Sequence, residues 1–367
     1  MARSDALKKR LNAQGARWTQ WRGLDVVADY GDPAREYHAV RSSGLGLVDR
    51  SGRDTLVLSG QDAASWLQGL VTSDLRELVR EGSGQLSSAV SLIGRLIADM
   101  RVLHMPEMLL LDLEPGVLGE GFLSHLKRHL ITEDVQILDR SEHTSRLGIF
   151  GTQAAVFLQN TCSLAHPMGS LEHFEGTWGS LGEHDIVVQR VPTTGGPGYD
   201  IACATEEAAD VWDLLMQAGE LTPVGFETLE TLRIEAGVPR FGVELTDEYI
   251  PLEAGLNDAI SFTKGCYLGQ EIIARLDTRG TPAKLLRTLV FEGGAAPEIG
   301  ADVEAEGSKR AVGEVLSSIW SPLLNTPIAL AYIKRAHNEV GGEVLVEGRP
   351  AIVQPLGYAL ASTRNSV

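Results

Sequence analysis

Basic residues are scarce in this chain, and so are cysteines and long apolar runs. Lys and Arg total 32 against 49 Asp and Glu, which leaves a formal net charge of −17. A bulk field of that sign repels polyanions, so broad non-specific nucleic-acid binding is excluded, although a local basic groove is not. The three cysteines, Cys162, Cys203 and Cys266, are too few for a disulfide framework. No Cys-x-x-Cys or Cys/His cluster supplies a complete zinc site. A reducing compartment suits that usage. No apolar run reaches the roughly 18 residues of a membrane span. The N-terminus, MARSDALKKRLNAQ, lacks the apolar centre of a secretory signal. Asp5 and the few serines weaken a transit-peptide reading, so the cytoplasm is the expected compartment.

What is present is an ordinary globular composition, with 43% hydrophobic and 22% charged residues. A chain of 367 residues can bury a sizeable core, and at roughly 100–200 residues per domain it holds two or three domains. Residues 1–34 read as an N-terminal helical extension. RDTLVLSG alternates as a half-buried strand. QDAASWLQGLVTSDL reads as an amphipathic helix capped by Asp62, with Ala64, Leu67, Leu70 and Val71 as its apolar stripe. EEAADVWDLLMQAG reads as a helix with a glycine C-cap, and GFETLETLRIEAGVP as a helix stopped by Gly237 and Pro239. From about residue 283 the texture changes to short β runs between Gly, Pro and Asn turns, which suggests a small barrel or sandwich over 283–367. Helices and strands over 35–282 alternate without a regular βαβ period. The expected class is therefore α+β.

The stretch FTKGCYLGQEIIARLDTRG, residues 262–280, is the most chemically specific. Gly265 and Gly269 permit positive φ or a close backbone approach, and IIARL continues as a helix. A cysteine just before a helix N-terminus, with Lys264 beside it, is expected to favour its thiolate. That thiolate can serve as a nucleophile, a redox sensor or a soft-metal ligand. The competing reading is a small side chain packing a tight turn, and packing is the reading for Cys162 and Cys203.

KGCYLGQEIIAR resembles the signature of the YgfZ family, folate-binding proteins related to the aminomethyltransferase, or T-protein, of the glycine cleavage system. ETLRIEAGVPRFGVEL, GLGLVDRSGRDTLVLSG and VGEVLSSIWSPLLNTPIALAYI resemble further blocks of the same superfamily. The likeness runs from about residue 35 to 360. It implies two mixed sub-domains around a central opening that takes tetrahydrofolate, plus a C-terminal β-barrel. It also implies a role in assembling or repairing iron–sulfur clusters. Partners would be an A-type carrier or client enzymes, and Cys266 a functional thiolate or a shared ligand to a transient cluster. The alternative is a folate-dependent one-carbon transferase.

The resemblance also nominates folate contacts, each with a plainer reading. Arg233 and Glu235 sit where the superfamily places residues near the folate, or they form a helix-surface ion pair. Lys264 could contact a phosphate or carboxylate of the folate tail, or be a solvated turn lysine, and Arg275 and Arg279 could line the same opening. Tyr199 and Tyr267 could stack on the pterin, or fill core. Two departures stand out. The aminomethyltransferases carry an acidic pair, one member of which works at folate N10, where IGRLIADM offers only Asp99. Their pterin-holding glutamate is replaced by Gly196. Both departures point away from aminomethyl transfer.

Overall fold

A computed structural model describes residues 3–42, 44–308 and 310–364, without the side chains of 277–279, 363 and 364. The chain begins with α1 (Asp5–Ala13), the hairpin β1 (Arg17–Trp21) and β2 (Leu24–Asp29), α2 (Pro33–Arg41), β3 (Leu45–Asp49), β4 (Asp54–Ser59) and α3 (Ala63–Gln68). It continues through β5 (Gly84–Val90), β6 (Leu96–Met105), β7 (Met108–Leu113), α4 (Leu123–Arg128), β8 (Gln136–Asp139), β9 (Thr144–Phe150) and α5 (Ala154–Thr161). Next come β10 (Ser163–Leu164), β11 (Gly176–Leu181), β12 (His184–Arg190), β13 (Gly198–Ala204), α6 (Ala208–Ala218), β14 (Leu221–Val224) and α7 (Phe226–Glu235). Helix α8 (Gln270–Arg279) precedes β15 (Lys284–Phe291), β16 (Asp302–Glu304), β17 (Gly313–Ser321), β18 (Thr326–Lys334), β19 (Glu343–Val346), β20 (Arg349–Gln354) and α9 (Tyr358–Arg364). Among the described residues no helix is long and apolar enough to cross a membrane.

The chain divides into two compact units. The first comprises Met1–Ser87, Ala98–Pro192 and Gly196–Leu229, and the second Ser88–Ile97, Thr193–Gly195 and Glu230–Val367. In the first, a seven-stranded mixed sheet runs β10-β11-β12-β13-β9-β3-β14, with only β14 parallel to its neighbour. Period-two alternation gives its strands two different faces. Leu147, Ile149, Val188 and Ile201 form one core with Trp212 and Leu215 of α6 and Leu158 of α5. Arg146 and Asp200 occupy the alternate positions of β9 and β13. Burying that apolar face at ~25 cal/mol per Å² is the main force holding the layer together. A second sheet has the order β5-β6-β7-β4-β8.

In the second unit the late strands close into a six-stranded barrel, β15-β18-β17-β16-β19-β20. Its interior alternates large and small: Phe291, Val303 and Val353 with Ala329, Ala331 and Ala351. Small side chains at alternate positions let so narrow a barrel fill without overpacking.

Local details depart from the sequence reading. The N-terminal stretch is a helix followed by a β-hairpin, in which RWTQW pairs antiparallel with LDVVAD across the positive-φ turn at Arg22 and Gly23. Helix α3 is six residues long, and Asp62 makes no cap bond to it. Asp62 Oδ2 instead accepts from Asp134 N at 2.8 Å, and Ala64 faces solvent. Gly219 ends α6 in extended backbone, φ −172°, not in the left-handed region.

Candidate functional site

A buried ionic cluster occupies the first unit. Strand β6 carries Asp99 and Arg101 two residues apart, and therefore on one face. Arg101 Nη1 lies 3.0 Å from Asp112 Oδ2 and 2.7 Å from Asp200 Oδ2. Arg50 Nη1 donates to both Asp200 oxygens, at 2.7 and 2.8 Å. Arg53 Nε donates to Asp112 Oδ1 at 2.8 Å, and its Nη1 pairs with Glu114. Arg146 sits 3.0 Å from Asp112 Oδ1 and donates to Thr55 Oγ1 at 3.1 Å. Burial alone would raise the Asp112 carboxyl, but Arg146, Arg53 and Arg101 together hold it below the usual carboxylate range. Burial draws Arg50 down to about 10, which still leaves it charged at neutral pH. Paired buried charges of this kind fix a geometry more than they stabilise a fold.

Asp99 is the exception in that cluster. The residue is partly exposed, yet its Oδ1 is closed off from solvent and accepts no hydrogen bond. Burial first, and then the charge of Glu114, lifts its pKa to about 7, against smaller downward pulls from Arg53 and Arg101. Ionised Asp99 balances the cluster at four carboxylates to four guanidiniums; protonated, it leaves one positive charge in excess. A carboxyl poised near neutrality with an unpartnered oxygen is suited to taking up and returning a proton.

Tyr199, expected to stack on a pterin, lies within the first unit's hydrophobic core, and burial raises its hydroxyl. The alternation of β13 turns it inward beside Ile201, which is the packing alternative.

The remaining nominated residues lie in the second unit. Arg233 is buried, and its donors are all spent. Nη1 reaches both Glu244 oxygens at 2.9 and 3.0 Å, Nη2 reaches Glu230 Oε2 at 2.8 Å and Ser317 Oγ at 2.9 Å, and Nε reaches Glu230 at 3.1 Å. Burial lowers its pKa, but Glu244 and Glu230 more than offset this. It is neither a surface pair nor a free anion receptor. Glu235 accepts from Ser321 Oγ at 2.7 Å and from Leu323 N at 3.1 Å, so it fastens the turn after β17.

The motif around Cys266 is split between surface and core. Tyr267 is buried with Val90, Ile260 and Ile273, which pushes its hydroxyl up to about 12. Lys264 is largely buried, with Nζ 5.0 Å from the centre of the Tyr267 ring. Cys266 is exposed, four residues ahead of Gln270, the first residue of α8. Gly269 has φ +80° and would place a Cβ 2.3 Å from Ser91 O; Gly265 has open space. Arg275 forms an exposed i,i+4 pair with Glu271 at 2.9 Å. The Arg279 side chain lies outside the described residues. Among the described residues no three His, Cys, Asp or Glu converge as metal ligands.

Sequence reasoning reached Asp99 but missed its neighbours. Arg146, Asp200 and Asp112 are each a lone charge within an apolar strand, in TSRLGIF, GYDIACA and LLLDL. A lone charge at an otherwise buried strand position requires a partner, and these three have compensating signs to offer. Read together, they carry the missing signal.

Two family models match the chain: the GCVT N-terminal domain over residues 7–264, and the glycine cleavage T-protein C-terminal barrel domain over residues 284–354. An aminomethyltransferase of Rubrobacter xylanophilus is 32% identical over 361 residues, covering 97% of this chain and 94% of the relative. One of Cutibacterium acnes is 30% identical over 344 residues, covering 91% of each. The crystal structure of the glycine cleavage system aminomethyltransferase T from Bartonella henselae superposes with a TM-score of 0.87 over 98% of both chains, at 20% identity, a likeness of fold. The mixed fold with its C-terminal barrel is thus that of the T-protein. The expectation of iron–sulfur assembly is overturned, because the relatives that align along more than nine-tenths of the chain are aminomethyltransferases. The shared cluster at Cys266 and the A-type carrier or client partners belong to that reading and fall with it. The inference away from aminomethyl transfer, drawn from two altered turns, is corrected by the same likenesses.

Proposed function

The chain belongs to the glycine cleavage T-protein family, and on that premise we propose that it is a transferase that moves an aminomethyl or methyl group to or from a reduced folate. The observation that carries this reading is Asp99, a shielded carboxyl with a pKa near 7 and an oxygen without a partner. Its ligand-free Oδ1 fits a folate nitrogen that must gain or lose a proton. A tetrahydrofolate would supply the nitrogen to which the one-carbon unit is bonded. Asp99 Oδ1 would hold the proton leaving or reaching that nitrogen. Arg53 and Arg101 would steady the carboxylate that results, and Glu114 would keep it basic enough to act.

The pterin anchor is a different matter. The turn Thr194–Gly195–Gly196 offers no carboxylate, and Arg233 has no donor to spare. Asp112 and Asp200 are fully paired within the cluster. Folate affinity is therefore expected to be weak, with chemistry concentrated at Asp99. Within the family, KGCYLGQE places the chain on the YgfZ branch in our reading, without cluster chemistry.

The test is titration of the purified protein with tetrahydrofolate, followed by formation of the one-carbon-loaded folate from an aminomethyl donor. Asp99→Asn should bind folate within threefold of wild type and lose at least about a hundredfold in turnover, the usual range for a general acid or base. No folate binding at millimolar concentrations, or full turnover by Asp99→Asn, would overturn the proposal.

A further inference from the structure

The first unit holds a cavity of about 750 Å³ that the ionic cluster does not use. Its size falls within the ~300–1,000 Å³ of small-molecule sites. One wall is the sheet face that also carries Arg146 and Asp200, continued along the strands. Thr144 pairs with Ala204, and Val187 with Ala202, so these residues and Trp178 share that face. The other wall is the β6–β7 hairpin, with Met105 and Met108. Thioethers and an indole make an adaptable apolar lining for a flat body. Met108 is 37% exposed and Trp178 is partly exposed, which leaves their surfaces available to a ligand.

The rim is charged asymmetrically. Arg140 and His143 stand where the chain enters β9, and both are exposed. Among the described residues neither side chain has a hydrogen-bond or ion-pair partner. In a chain of net charge −17 an unpaired guanidinium beside an imidazole is a local inversion of sign. Across the opening stands Asp185 on β12, two strand spacings from β9, or roughly 10 Å. One negative group is welcome at Arg140 and His143, and a second would meet Asp185.

We propose that this cavity binds an apolar monoanion, an aryl or medium-chain carboxylate or sulfonate, with its charged group at Arg140 and His143 and its body on Trp178, Met105 and Met108. The inference does not rest on the folate reading.

The test uses 8-anilino-1-naphthalenesulfonate, an aryl monoanion, with the full native chain. Saturable binding at one site per chain is expected, weakened at least tenfold by Arg140→Glu and by Met108→Glu, both surface substitutions. With wild-type protein alone, uncharged N-phenyl-1-naphthylamine and the dianion 1,5-naphthalenedisulfonate should each bind at least tenfold more weakly. Equal affinity for the uncharged probe overturns the anion assignment. Non-saturable binding, or variants that fold and bind as wild type does, overturns the site.

Discussion

Arg233 sets a single nitrogen, Nη1, against both carboxylate oxygens of Glu244, at 2.9 and 3.0 Å. Both partners are buried, and Ser317 bonds to each of them. The pair ties α7 to the loop before Tyr249 and to β17 within the second unit.

Removing one member of such a pair leaves the other as an uncompensated buried charge. Arg233→Ala is expected to cost about 3–5 kcal/mol in denaturant unfolding. Arg233→Lys should recover only part of this, because an ammonium cannot span Glu230 and Glu244 as a planar fork does. A stable Arg233→Ala that loses folate affinity would instead make Arg233 a ligand residue.

Asp99 makes stability depend on pH with a definite sign. The folded carboxyl keeps its proton up to about pH 7, whereas the unfolded one releases it near 3.8. Between those values the native state binds more protons, so this group's contribution falls as pH rises and levels off above about 7. Asp99→Asn removes the slope. The variant should gain on the order of 4 kcal/mol over wild type at pH 8 and little at pH 4. Unfolding curves across that range give the difference directly, and a difference that does not change with pH would refute the raised pKa.

The barrel and most helices were legible because their signals are local: period-two runs between Gly and Pro turns, or leucines at helical spacing. Asp99 was legible as the acid of IADM. What stayed hidden depends on partners far along the chain. Arg233 reads as a surface helix residue until Glu244 and Ser317 close around it. Asp200 reads as one polar residue in a turn until Arg50, 150 positions away, reaches it. Tyr199 reads as a stacking platform until the pleat of β13 turns it into the core. The hairpin β1–β2 was missed because two tryptophans beyond a helix suggested a connection.

Two glycines of one motif should behave differently. Gly269 needs its positive φ, and a Cβ there would strike Ser91 O at 2.3 Å. Gly265 has neither constraint. Gly269→Ala is expected to lower stability by about 2–3 kcal/mol and fray the start of α8, read by unfolding and by amide exchange of residues 270–274. Gly265→Ala should stay within about 0.5 kcal/mol of wild type. Equal effects would mean that the turn relaxes around either substitution.

The three cysteines should separate kinetically. Cys162 and Cys203 are buried, and burial pushes their thiols up to about 11 and about 12. Little thiolate is then present at pH 8, and what forms is shielded by the core of the first unit. Cys266 is exposed. A disulfide reagent such as DTNB is expected to titrate one thiol per native chain, at least ~100-fold faster than the other two, since thiolate fraction and access both set the rate. Cys266→Ser should abolish the fast phase and leave folate turnover unchanged, because the proposed proton transfer runs through Asp99 and no step of it uses the thiol. Loss of turnover in a folded Cys266→Ser variant would return Cys266 to the chemistry, and Asp99 would then need it as a partner.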